Sequence, residues 1–328
     1  MIITRTPLRV SFCGGGTDLP SYYLKEQGAV VSTAINKYVY ITVNRLSRYF
    51  DHRILLKYSR TELVNSVDEV NHPIIREAMK IAGVVDGVEI TSMADIPAGT
   101  GLGSSSTYAV GLLHALHTFK GQHVSAAQLA REACDIEIGR LKDPIGKQDQ
   151  YIAAYGGICH IRFNPDETVF VDPVICSYAT KQALQDNLLM FYTGNTRRAG
   201  DILRVQKATT EQNWEALTQM KELCGRLMEV LKEGRSLSGF GEILHQNWVH
   251  KQSLVDTIST DSINGYYNRA REAGAIGGKL LGAGGGGFLL FYVERQNHQR
   301  VREALSDLQE LPFRFEPQGS KVIYISDE

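Results

Sequence analysis

The segment Pro97-Ala98-Gly99-Thr100-Gly101-Leu102-Gly103-Ser104-Ser105-Ser106 constrains the fold more than any other part of the 328-residue chain. An alternating run from Gly87 to Ser92 precedes it, and Tyr108, Leu112, Leu116 and Phe119 follow at helical spacing. The segment therefore has to join a strand to a buried helix. Its three glycines let backbone come close to a ligand, while the free amides and dipole of the helix start favour negative charge. The serine hydroxyls add donors and an oxygen ligand for Mg²⁺. The spacing fits neither a Walker A loop nor the dinucleotide fingerprint. Standing alone, a tight strand-to-helix turn capped by serine explains such a segment better than a polyphosphate cradle does.

Two more glycine segments stand beside it. Lys279-Leu280-Leu281-Gly282-Ala283-Gly284-Gly285-Gly286-Gly287-Phe288 leads into an apolar strand, and each glycine costs about 0.5–1 kcal/mol relative to alanine unless the backbone needs it. At the other end, Pro7-Leu8-Arg9-Val10-Ser11-Phe12-Cys13-Gly14-Gly15-Gly16-Thr17-Asp18 is a strand running into a turn that bears a hydroxyl and a carboxylate. Between these lies a broken helix. It opens on Ser125-Ala126-Ala127-Gln128, a capping-box spacing, runs toward Leu141, is interrupted at Pro144 and Gly146, and resumes over 147–155. Strand-like and helical runs mix throughout, which predicts an α+β protein. A change of pattern near residue 180 predicts two domains, 1–180 and 181–328, the second ending in a small sheet formed with Phe288–Val293 and Lys321–Ile325.

The charges nearly cancel, 35 Lys plus Arg against 36 Asp plus Glu, so no global field gathers nucleic acid or a membrane surface, and any anion must be held locally. The partner expected is a small molecule; a homo-oligomer is compatible with the sequence but not indicated by it. Five scattered cysteines without a Cys-x-x-Cys pair fit a reducing compartment. The N-terminus alternates like a strand without a signal-peptide core, and no apolar stretch reaches membrane-spanning length. A cytoplasmic protein is the expectation.

The three glycine segments, in this order, resemble the signature motifs of the GHMP kinases, the family of galactokinase, homoserine kinase, mevalonate kinase and phosphomevalonate kinase. Two spacings resemble galactokinases: Arg9 stands nine residues before Asp18, and Glu137 twelve before Asp149, with Pro144 and Gly146 between the latter pair. The resemblance implies an N-terminal α/β domain, a C-terminal ferredoxin-like domain, and ATP with Mg²⁺ in the cleft between them. It implies that Gly99, Thr100, Gly101, Leu102, Gly103, Ser104, Ser105 and Ser106 hold the nucleotide phosphates. Ser105 and Glu137 are then the metal ligands, and Asp149 faces the acceptor hydroxyl with Arg9 beside it, Lys147 being the competing partner. Gly15, Gly16, Thr17, Asp18 and Gly285 are the expected acceptor contacts.

Galactokinases carry Glu-His where this chain has Gly15-Gly16. The form Arg-x-Ser-Phe-x-Gly-Gly-Gly-Thr-Asp more closely resembles kinases of D-glycero-D-manno-heptose 7-phosphate, and less closely fucokinases. That resemblance implies phosphorylation of a sugar phosphate at its anomeric hydroxyl. Arg197 and Arg198, after the strand 188–192, offer bidentate donors suited to a phosphate monoester, although a solvated basic turn explains them equally well. The rival readings are a neutral-sugar kinase and a sensor that binds sugar and ATP without turnover.

Overall fold

The computed structural model describes residues 1–194 and 199–326. Its framework is two long antiparallel strands, Ile2–Cys13 and Gly28–Arg45, with Ile2 opposite Val43 and Cys13 opposite Val31. The first strand is buried over most of its length, polar Thr4, Thr6, Arg9 and Ser11 included, because both of its faces are covered. The second is long enough to carry two different neighbours on its far edge. Its Val39–Arg45 half pairs with Val88–Ala94, and its Gly28–Thr33 half pairs with Ile158–Phe163. The strand that feeds the glycine segment at 97–106 and the strand that follows the broken helix thus hang from one element.

Helix Ser104–Phe119 packs across this sheet with Ala126–Cys134 and Gln148–Tyr155 beside it. It buries residues on all sides, as its mostly apolar sequence requires. A second antiparallel sheet, ordered Gln309–Glu310, Leu188–Tyr192, Phe288–Val293, Ala275–Leu280, is backed by helices Ser238–Leu254 and Asp261–Glu272, while helix Trp214–Glu233 packs between Ser238–Leu254 and the first two strands. One apolar cluster runs from the first sheet through Cys224, Leu227 and Phe240 to Phe288 and Tyr292, and the Phe12 and Phe240 rings meet edge to face at 5.0 Å. The two sheets therefore form walls of one body with a cleft between them.

Two expectations fail locally. Lys321–Ile325 does not join the C-terminal sheet; it returns to the first one, Ile325 opposite Ile2 and Lys321 opposite Arg5. The reason is the open edge of the first strand, whose unpaired backbone groups a half-exposed strand can satisfy. The capping box at Ser125 is only half made. Ser125 accepts from the Gln128 amide at 3.2 Å, but the Gln128 side chain donates to Glu132 at 2.9 Å instead of reaching back.

Strand Ala275–Leu280 and helix Ser238–Leu254 approach so closely that a Cβ on Gly277 would lie 1.9 Å from the Gly241 carbonyl oxygen. Gly225, exposed on helix Trp214–Glu233, has nothing within 4 Å of the same added atom. Gly277→Ala is expected to destabilise the protein by about 1–3 kcal/mol through overpacking, and Gly225→Ala to stabilise it by about 0.5–1 kcal/mol through helix propensity. Urea unfolding of the two variants checks both signs.

Candidate active site

Helix Ser104–Phe119 begins without a side-chain cap. Gly103 occupies its N-cap in the left-handed region, φ 75°, and among the described residues no side chain bonds the first-turn amides. Ser104, Ser105 and Ser106 line the cleft there, so the helix start presents free donors and a positive dipole end to it. The C-terminal glycine run braces this loop. A Cβ on Gly101 would lie 2.6 Å from the Leu281 carbonyl oxygen, and one on Gly282 would lie 2.5 Å from Gly101 Cα. Both residues have positive φ, so backbone lies on backbone where only glycine fits.

Arg9, on the first strand, grips Asp149, in the first turn of Gln148–Tyr155. Arg9 Nε donates to Asp149 Oδ1 at 2.6 Å and Nη2 to Oδ2 at 2.7 Å, while Nη1 donates to the Gly101 carbonyl at 2.5 Å. This fork fixes the carboxylate in plane and orientation. It sits against the phosphate loop, because a Cβ on Gly103 would be 3.1 Å from both Arg9 Cγ and Asp149 Oδ2. Lys147 is turned elsewhere, with Nζ 4.5 Å from the centre of the Tyr23 ring and 3.6 Å from Glu167.

Glu137 reaches the cleft from a π-helical turn, Asp135–Arg140, which widens the helix by one residue per turn and aims its side chain inward. The carboxylate is fully buried. Its Oε1 accepts from Ser105 Oγ at 2.8 Å and its Oε2 from Gln150 Nε2 at 2.7 Å. Burial pushes its carboxyl up to about 7, opposed by hydrogen bonds from Ser105, Ser106 and Gln150 and reinforced by the charge of Asp149. Ser105 and Glu137 thus supply two adjoining oxygen donors, the number and type Mg²⁺ takes from protein when phosphates and water complete its shell.

The turn at Gly14–Asp18 forms the opposite wall. Gly15, Gly16 and Asp18 line the cleft, and buried Asp18 accepts from the Gly16 amide at 2.9 Å and the Gln148 amide at 3.3 Å. Burial raises the Asp18 carboxyl, helped by Asp149 and opposed by those amides. Thr17 faces the scaffold instead: its hydroxyl donates toward Gly14 and Ala29 carbonyls and accepts from the Ala29 amide. Thr100 bonds the Pro97 carbonyl, Leu102 is packed in the core, and Gly285 donates its amide to Ile258, so these three shape the site from behind. Arg197 and Arg198 lie outside the described residues.

Sequence reasoning missed Ser11, Gln148, Gln206, Lys251 and Lys279, all of which line the cleft. Ser11 Oγ is buried with no partner among the described residues. The one available signal was Lys279, a charged residue in an otherwise apolar strand.

The chain matches the family descriptions "GHMP kinases N terminal domain" over residues 67–157 and "GHMP kinases C terminal" over 199–311. A loop-bearing helix start, an arginine-held carboxylate and two matched domains define a phosphotransferase of the two-domain α+β GHMP fold. The chain belongs to the GHMP kinase family. It is 27% identical to a D-glycero-alpha-D-manno-heptose 7-phosphate kinase from Campylobacter jejuni over 93% of each chain. It is 25% identical to a galactokinase from Pyrococcus furiosus over 93% of this chain and 92% of that one. A crystal structure of a D-glycero-D-manno-heptose 1-phosphate kinase from Bacteroides thetaiotaomicron superposes with a TM-score of 0.83 at 25% identity, covering 100% of both. Kinases of this family that act on sugars take their phosphoryl group from ATP.

Lys279 is buried between Cys13, Cys224, Arg9, Asp18 and Lys251. Burial pulls its ammonium from 10.5 down to about 8, with Cys13 opposing, Arg9 helping, and Cys224 and Asp18 opposing. Between those two values the unfolded chain binds the extra proton, so the stability contributed by this group rises with pH across that window. Methionine has no such dependence. The melting temperature of Lys279→Met minus that of wild type is therefore expected to fall as pH goes from 8 to 10.5, measured by thermal melts. A constant difference would show an ordinary lysine there.

Proposed function

We propose that this chain is an ATP-dependent sugar kinase whose acceptor is D-glycero-D-manno-heptose 7-phosphate, phosphorylated at the anomeric hydroxyl to the 1,7-bisphosphate, for nucleotide-activated heptose and surface glycan synthesis. The observation that carries the kinase part is Asp149, held by the Arg9 fork at contact distance from Gly103, where an uncapped helix start presents its amides. A phosphoryl group seated on those amides lies beside a carboxylate that can take a proton. Phosphoryl transfer asks for little more than such positioning and charge neutralisation.

In this reading Gly99, Gly101, Gly103 and Ser104–Ser106 seat the ATP phosphates. Ser105 and Glu137 hold Mg²⁺, which shields phosphate charge when bound. Asp149 orients the acceptor hydroxyl and receives its proton as the acceptor oxygen bonds to the γ-phosphorus and ADP leaves. Arg9 keeps Asp149 aimed. Asp18 accepts from ring hydroxyls, and the side-chain-free Gly15 leaves room for the sugar, while Gly16 packs against Gln206 and Leu217. Arg197 and Arg198 take the acceptor's phosphate. The acceptor rests on the Gly14–Asp18 turn and on two relatives whose names both specify a heptose phosphate kinase.

Asp149→Asn is expected to leave ATP affinity within a few-fold and to lower turnover by about 10²–10⁴; steady-state kinetics retaining more than about a tenth of wild-type turnover would remove Asp149 as the base. Glu137→Gln should raise the Mg²⁺ requirement more than the acceptor requirement, so an unchanged Mg²⁺ titration takes Glu137 out of the metal shell.

For the acceptor, kcat/KM is compared for heptose 7-phosphate and the same sugar without its phosphate, in wild type, Arg197→Ala and Arg198→Ala. A strong preference for the phosphate, lost in the variants, is expected. Equal values in wild type would favour a neutral-sugar kinase, and a preference that survives both substitutions would refute the arginine assignment alone. Binding without ADP formation on any sugar would favour a sensor.

A further inference from the structure

Two lysines face the cleft from the C-terminal half. Lys251 lies on helix Ser238–Leu254 and Lys279 on strand Ala275–Leu280; they are 6% and 2% exposed. Among the described residues neither has a carboxylate within ion-pairing distance. Lys251 Nζ donates to the Gly282 carbonyl, and Lys279 Nζ donates to the Phe12 carbonyl at 3.1 Å. Each ammonium has three donors, so each retains two. The acids nearby do not answer them. Asp149 is taken by the Arg9 fork, and Asp18 is tied to the Gly16 and Gln148 amides. Two buried ammonium groups without counter-ions are costly, and the natural compensation is an anionic occupant of the cleft.

Their anchors say which anion. The Gly282 carbonyl that holds Lys251 belongs to the loop packed on Gly101, and the Gly101 carbonyl takes Arg9 Nη1. The Phe12 carbonyl that holds Lys279 lies three residues beyond Arg9 on the same strand. Both ammonium groups therefore lie on the cleft wall that Arg9, the 97–106 loop and Asp149 also line.

We infer that Lys251 and Lys279 are catalytic residues that, with Arg9, hold the non-bridging oxygens of the γ-phosphoryl group as it passes from ADP to the acceptor oxygen. The bond from the γ-phosphorus to the ADP oxygen breaks, the bond to the acceptor oxygen forms, and the hydroxyl proton goes to Asp149; the lysines neutralise charge and exchange no atoms. This assignment rests on the kinase reaction and not on which sugar is the acceptor. It adds a strand of the second sheet and its helix to the phosphoryl-transfer groups Arg9, Ser105, Glu137 and Asp149, which come from the first half.

The test uses the full chain with Lys251→Met and Lys279→Met made singly, methionine keeping the length and apolar stem. Turnover is expected to fall by about 10²–10³ in each, in line with loss of a positioned charge-stabilising donor, while calorimetric affinity for ADP·Mg²⁺ stays within about two-fold. Turnover within three-fold of wild type would overturn the inference. So would an equal loss of ADP·Mg²⁺ affinity, which marks a role in shaping the cleft, or a loss seen with a phosphorylated acceptor but absent with the same sugar lacking phosphate, which moves the pair to the acceptor's own phosphate. If no sugar is turned over by wild type, the same variants are read with Mg²⁺ and the γ-imido analogue of ATP: an affinity loss of tenfold or more for the analogue but not for ADP supports the assignment, and equal affinities in variant and wild type overturn it.

Discussion

The two-pronged grip of Arg9 on Asp149 is the interaction on which the rest of the site depends. It joins a strand and a helix 140 residues apart in the chain and holds them at the mouth of the phosphate loop. A monodentate pair would leave the carboxylate free to rotate; the planar fork does not. The geometry is available because Gly28–Arg45 carries both halves of the machinery, pairing with the strand before the loop at one end and with the strand after the broken helix at the other. Hydrogen-bond register along one rigid element therefore sets the distance between the anion seat and the carboxylate that works beside it.

The second constraint is contact between two glycine loops. Gly101 and Gly282 touch without side chains, so the two loops fix each other's backbone. The same packing closes the C-terminal half onto the N-terminal half and carries Lys251 with it through the Gly282 carbonyl. A shared apolar cluster beneath the cleft, with Phe12 against Phe240, keeps the two walls from sliding apart.

The cleft gathers ionisable groups whose burial disfavours their charged forms. Glu137 is buried and raised to about 7, Asp18 is raised, and Lys251 and Lys279 are lowered, each chiefly by burial. Groups held in unfavourable ionisation states cost stability that a well-packed apolar cleft would not. Such groups mark a functional site more often than a structural one.

Much of this was legible in the sequence. The order and spacing of the three glycine segments, Arg9, the Glu137 to Asp149 interval with its Pro144 and Gly146 break, and the alternation of strands and helices are all local patterns, and local patterns survive in one dimension. The placement of the last strand was not legible, since an edge becomes available for Lys321–Ile325 only after the first sheet has formed. Nor was the distinction between Asp18, which faces the cleft, and Thr17, which faces the scaffold, because a turn aims adjacent side chains in different directions. The choice of Arg9 over Lys147 was decided by which side of helix Gln148–Tyr155 meets the first strand. By itself, then, the sequence determined the family, the glycine loop before the buried helix and the place in the chain of the carboxylate proposed as the base. The tertiary structure alone decided that Lys251 and Lys279 line the same cleft as that carboxylate, because their placement follows from packing of a helix and a strand hundreds of residues from Arg9, and no spacing rule encodes a proximity of that range.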